Sequence, residues 1–227
     1  MKVVISWIVI AITAMGCATQ AKVEREPRQL LAQGRQVMQR GDPQRAITEL
    51  FDPVIEHYEA IYKTSGKHVY SASNTTEMLI YLTLPNDDKL PIEVLDSVWA
   101  GAYLMKGYAL VELKRFDDAQ KVLNEAIILS PMNSQYLSEL AYTYQVQKDC
   151  RKSIEIYMQA EEVVELGSDE ATKNVDLSRA WRGQGYCLVE QGKLDEAEAM
   201  YRKCLALDSK DDKARGELEY IRRQRAN

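Results

Sequence analysis

The chain has 227 residues, 46% hydrophobic and 28% charged, a mixture that excludes a disordered chain and allows one or two domains with a real core. Its formal charge of −5 supplies no basic face of the kind that phosphate neutralisation requires, so nucleic acid is not an expected partner. The one dense basic run, Arg222, Arg223 and Arg225, reads as the solvated end of a last helix.

Residues 1–20, MKVVISWIVIAITAMGCATQ, carry one lysine, a run without charge from Val3 to Ala14, and small residues around a cysteine. That is a secretory layout, and the run falls short of the about 20 apolar residues of a spanning helix. The segment AMGCA resembles the bacterial lipobox through Gly16 and Cys17. The resemblance implies a diacylglyceryl group on Cys17, removal of residues 1–16 as a lipoprotein-type signal peptide, and a short tether over 17–26. Loss of Lys2 would take the charge from −5 to −6. Ala14 and Met15 depart from the usual pattern, which leaves ordinary signal-peptidase cleavage and a retained apolar anchor as alternatives. Ala18 is not the aspartate that holds enteric lipoproteins at the inner membrane, so a periplasm-facing protein on the outer membrane is expected.

Past residue 26 the chain repeats itself at fixed offsets, and such periodicity marks stacked structural units. Counting from Gly107, Tyr103 lies 4 before, and Ala119, Leu123, Ala126 and Pro131 lie 12, 16, 19 and 24 after. The same offsets from Gly185 give Trp181, Ala197, Tyr201, Cys204 and Ser209; from Ala141 they give Leu137, Ser153, Tyr157, Ala160 and Glu165. From Gly34 they give Leu30, Ala46, Leu50, Pro53 and Tyr58. Two antiparallel helices approach closely only where side chains are small, so these positions predict helical hairpins. The distance from Gly34 to Gly107 is 73 residues, enough for a further helical element in 61–99, around TTEMLIYLTL and opening at Asn74, with the next helix starting near Pro91. From Ala141 to Gly185 it is 44 rather than 34, so 164–176 reads as a longer helix end plus loop. Ala214, Leu218 and Ile221 form one stripe of a final capping helix over 212–225.

These offsets resemble the tetratricopeptide repeat (TPR), a 34-residue helix-turn-helix unit. The windows are 100–133, 134–167 and 178–211, with a degenerate one at 27–60 where Pro53 interrupts the second helix. The resemblance implies an all-α TPR solenoid with a C-terminal capping helix. It also implies that the residue after each small position lines a concave groove, here Tyr108, Tyr142 and Tyr186. Leu104, Ser138, Arg182, Arg179 and Gln145 would share that face. The family's carboxylate clamp has asparagine where these tyrosines stand, so an internal peptide segment or a partner helix is the expected occupant.

Catalysis is not expected. GQGYCL lacks a preceding strand, QGKLDEAE lacks the rest of a phosphate loop, and neither HExxH nor G-x-S-x-G occurs. Asp117–Asp118 and Asp195–Glu196 fall at helix starts, where they favour the helix dipole. No cofactor or metal is expected, because CxxC is absent and His57 and His68 are the only histidines. Beside Cys17 stand Cys150, Cys187 and Cys204, an odd set that reads as buried thiols or one bridge. Cys187 and Cys204 fall on the two helices of one repeat and are expected to stay reduced. The leading expectation is a non-enzymatic interaction scaffold of the bacterial envelope that holds a protein segment in its groove. The alternative is a pilotin-like assembly or structural lipoprotein acting through its outer surface or by self-association.

Overall fold

The computed structural model of the chain describes residues 26–168 and 170–226. The expected signal peptide, Cys17 and the expected tether up to residue 25 lie outside the described residues. The first hairpin pairs α1 (26–39) with α2 (Pro43–Ala46), a π-helical turn (Ile47–Phe51) and α3 (Asp52–Tyr62), which run on as one helical path. Contrary to the expectation from sequence, Pro53 therefore does not interrupt the second helix but sits in the first turn of α3. A proline lacks the N–H that would reach back along the helix, and its ring crowds the carbonyl there. The wider turn just before it accommodates the ring. It also inserts one residue, so Gly34 faces Phe51 instead of the expected Leu50, and Val54 takes the buried position assigned to Pro53.

Three regular hairpins follow: α5 (Val98–Glu112) with α6 (Phe116–Leu129), α7 (Ser134–Val146) with α8 (Cys150–Gly167), and α9 (Lys173–Glu190) with α10 (Leu194–Leu207). Their small positions are close approaches. A Cβ on Gly107 would lie 2.7 Å from Leu123 Cδ2, and one on Gly185 would lie 2.8 Å from Tyr201 Cζ. Each hairpin turns through a left-handed residue at the same register: Gly41 (φ 79), Lys114 (φ 58), Lys148 (φ 64) and Gly192 (φ 74). The next N–H reaches back five residues to a helix carbonyl: Asp42 to Val37 (3.3 Å), Arg115 to Leu110 (2.8 Å), Asp149 to Tyr144 (3.0 Å) and Lys193 to Leu188 (2.9 Å). This closure satisfies carbonyls that the ending helix leaves open. The additional residues between the last two hairpins lengthen α8, which ends at Gly167, and α9, which begins at Lys173, with turns at 170–172 between them, as their composition suggested.

Between the first and second hairpins lies a unit that breaks the all-helical pattern. The expected helix is there as α4 (Thr75–Leu82), capped by Asn74, whose Oδ1 accepts the Glu77 N–H at 2.8 Å. On either side run β1 (His68–Ala72) and β2 (Ile92–Asp96), paired in parallel, with α4 as the crossover that parallel pairing needs. The helix expected near Pro91 is thus corrected: Pro91 leads into β2, where Ile92 and Val94 favour extended backbone, and α5 starts only at Val98. Asn133 Nδ2 ties this unit to the α6–α7 corner by donating to Ser73 Oγ (3.0 Å) and Glu77 Oε1 (3.1 Å), and Met132 N–H donates to the Tyr81 hydroxyl (3.2 Å). Asn74 Nδ2 reaches the Gly167 carbonyl at 3.0 Å.

Among the described residues the apolar interior falls into two clusters. One joins the first hairpin, α5–α8 and Ala180; the other holds Leu188, Ala197, Tyr201 and Cys204 beneath Ala214 and Ile221 of α11 (Asp212–Ala226). The last helix is therefore the expected cap. Arg225 is not merely solvated, since it pairs with Asp195 and Glu198 of α10.

Candidate functional site

The inner helices α7 and α9, together with α11, border a concave cleft of about 680 Å³. Six residues of the expected groove line it: Ser138, Tyr142 and Gln145 from α7, and Arg179, Arg182 and Tyr186 from α9. They converge because each pair is three or four residues apart on its own helix, on one stripe. Tyr142 and Tyr186 are 40% and 41% exposed, unusually open for residues of that size. Tyr157 of α8 and Tyr201 of α10 reach the floor between them, where Gly183 has no side chain to block the Tyr157 ring.

Tyr108 and Leu104 do not line this cleft. Leu104 is buried and borders an adjoining polar cleft of about 370 Å³, which shares Arg179 with the first. Tyr108 is half-buried, its hydroxyl accepts from Gln135 Nε2 at 3.0 Å, and burial pushes its pKa well above the ordinary tyrosine range. The tyrosine ladder read from sequence is thus two open rungs and one that is covered by the next inner helix.

Both arginines are already paired. Arg182 Nη1 donates to Asp211 at 2.6 Å, and Arg179 Nη1 donates to Asp176 at 2.8 Å. Although burial opposes it, the Ala214 N–H and Arg182 hold the Asp211 carboxyl below the usual range. Gln145 Oε1 accepts from the Tyr157 hydroxyl at 3.2 Å, which fixes the amide against the floor. Among the described residues the buried Ser138 Oγ has no hydrogen-bond partner.

One lining residue that sequence reading missed is Glu139. Burial raises its pKa, against the opposing effects of a hydrogen bond with Tyr108 and the charge of Arg179. Its position three before Tyr142 was the available signal, because that spacing puts both on one stripe. Lys213 and Glu217 of α11 were also missed, for the cap had been read only as a lid on the core. Aromatic faces, a half-buried carboxylate, a hydroxyl and two buttressed guanidinium groups meet on this surface.

Comparison with known proteins agrees with this architecture. Models of the tetratricopeptide repeat match residues 100–131 and 133–210. No curated protein sequence matches the chain. Among solved structures, MamA (41-end) from Desulfovibrio magneticus RS-1 is 11% identical with a TM-score of 0.55, over 88% of this chain and 86% of that one. Another MamA crystal structure is 20% identical with a TM-score of 0.52, over 89% and 90%. A putative kinesin light chain from P. anserina with nearly identical TPR-like repeats is 15% identical with a TM-score of 0.56, over 88% and 86%. At such identities the likeness is one of fold. Residues 100–131 and 133–210 are tetratricopeptide repeats, and the chain folds as a mostly helical TPR solenoid closed by its C-terminal helix.

Proposed function

We propose that this protein is a non-enzymatic interaction scaffold whose cleft between α7, α9 and α11 holds an internal segment or helix of a partner protein. The observation that carries this reading is the pair of open tyrosines, Tyr142 and Tyr186, on neighbouring inner helices of one concave surface. Tyrosine offers broad apolar area and a hydroxyl at low entropic cost, and such residues are frequent hot spots. Capture of a free C-terminal carboxylate is a weaker fit, since Asp176 and Asp211 already occupy Arg179 and Arg182.

A photo-crosslinker placed at Tyr142 and, separately, at Ile128 on the outer helix α6 tests the site in intact cells. Ile128 is 64% exposed and Met158 of α8 is 51% exposed, which supports a second reading in which an assembly partner meets the outer surface. Adducts at Tyr142 but not at Ile128 are expected, and the reverse would favour the second reading. With the crosslinked partner in hand, Tyr142→Ala should weaken binding by about 1–2 kcal/mol with little change in melting temperature. Unchanged binding with a large drop in melting temperature would assign the ring to packing.

The segment AMGC supports an envelope role with acylated Cys17 as the anchor, outer membrane favoured. Metabolic labelling with a fatty-acid analogue should mark the wild type and spare Cys17→Ser; equal labelling would sink the anchor.

A further inference from the structure

We propose that the cleft between α7, α9 and α11 takes an arginine side chain of the partner segment, its guanidinium on the open rings of Tyr142 and Tyr186 and its charge met by Glu139 and Glu217. This inference deepens the scaffold reading above and rests on it. By sequence alone Arg179 and Arg182 would give the groove a positive face. The structure reverses that polarity, because Asp176 holds Arg179 at 2.8 Å and Asp211 holds Arg182 at 2.6 Å. Arg179 serves Asp176 and Glu139 together, one cation against two carboxylates. Asp212 is taken by Arg215. The lining charges that make no ion pair among the described residues are then Glu139 of α7 and Glu217 and Lys213 of α11. Lys213 is exposed whereas both glutamates are half-buried, so the charge that water screens least is negative.

Arginine fits these features better than lysine, since its planar cation stacks on an aromatic face and meets a carboxylate with paired N–H groups. Glu139 lies three residues before Tyr142 on α7, which puts carboxylate and ring on one stripe of that helix. One turn before Tyr142 stands Ser138, almost fully buried, whose hydroxyl lacks a hydrogen-bond partner and lines the same cleft. That oxygen is an acceptor for an incoming donor, and a guanidinium carries donors only. Nothing lies within 4 Å of a Cβ on Gly216, so α11 leaves room beside the rings. Tyr157 and Tyr201 on the floor offer apolar surface to the arginine stem.

The test is fluorine NMR of the full chain labelled with fluorotyrosine, the Tyr142 and Tyr186 signals being assigned from Tyr142→Phe and Tyr186→Phe. Acetyl-arginine methylamide is titrated in parallel with its neutral isostere, acetyl-citrulline methylamide. Saturable shifts at both rings are expected with the arginine compound, and binding about tenfold weaker with citrulline. Glu139→Gln and Glu217→Gln should each weaken the arginine compound about two- to fivefold, while Lys213→Gln, which removes a competing cation, should tighten it about twofold. Equal affinity for the two compounds, no saturable shift at either ring, or unchanged affinity in both glutamine variants would each overturn the proposal. Partner adducts at Tyr142 without an arginine-specific shift would overturn this inference and leave the scaffold reading standing.

Discussion

Gly183 and Gly216 show how a single residue type carries opposite meanings in one fold. In an exposed helix interior, glycine costs about 1 kcal/mol relative to alanine, so replacing it should normally help. At Gly183 a Cβ would strike the buried Tyr157 ring, reaching 2.5 Å from Cε1, and that ring is pinned by its hydrogen bond to Gln145. Overpacking of this kind costs about 1–3 kcal/mol and outweighs the helix gain. Nothing lies within 4 Å of a Cβ on Gly216. Urea denaturation should therefore find Gly183→Ala destabilised by about 1–2 kcal/mol and Gly216→Ala stabilised by about 0.5–1 kcal/mol. Equal effects at the two sites would mean that the Tyr157 ring yields freely. The same contrast explains why a small residue in the sequence was a sound marker of helix contact at Gly107 and Gly185 yet said nothing at Gly216.

At the scale of elements, α4 and its strands are held by polar contacts that hydrophobic periodicity does not announce. Glu77 is 2% exposed, accepts the Ser73 N–H at 2.7 Å, and takes a second bond from Asn133 at the α6–α7 corner. Burial raises its pKa, with a smaller contribution from the Asp176 charge, while the hydrogen bonds oppose the shift. The folded state therefore binds this proton more tightly than the unfolded chain does. Unfolding releases it between the ordinary carboxylate range and the raised value, and the Glu77 contribution to stability falls as pH rises through that window. Glu77→Gln keeps an acceptor oxygen and cannot titrate, so its stability relative to wild type should improve from about pH 4 to pH 8. A wild-type-to-variant difference that is flat across that range would show that the carboxyl titrates normally. The insertion was only partly legible: Asn74 and the helix after it could be read, whereas β1 and β2 are short and pair only because α4 returns the chain beside itself.

For the whole molecule, a solenoid transmits stability from neighbour to neighbour, and its end must be closed. The last cluster depends on α11, where Ile221 is 1% exposed against Tyr201 and Leu188. Ile221→Ala should cost about 2–4 kcal/mol and lower the melting temperature by roughly 5–10 °C in calorimetry. A shift below about 2 °C would show that the cap adds little to the fold. The cap also forms one wall of the cleft through Lys213, Gly216 and Glu217, so closing the core and shaping the site are tasks of the same helix.

The sequence by itself determined the hairpins, their turns and the cap, because each follows from local rules. A small residue every hairpin, a left-handed turn residue seven places later and an apolar stripe recur whatever lies between them. Only the tertiary structure decided which of the equivalent tyrosines stand open. Tyr108, Tyr142 and Tyr186 share one register, yet Gln135 and Glu139 of the following inner helix engage Tyr108, while Tyr142 and Tyr186 face the space before α11. It also decided that Phe51, the last residue of the π-helical turn, replaces Leu50 opposite Gly34. Burial and pairing are properties of the neighbouring repeat, and the spacing within one helix cannot encode what its neighbour places against it.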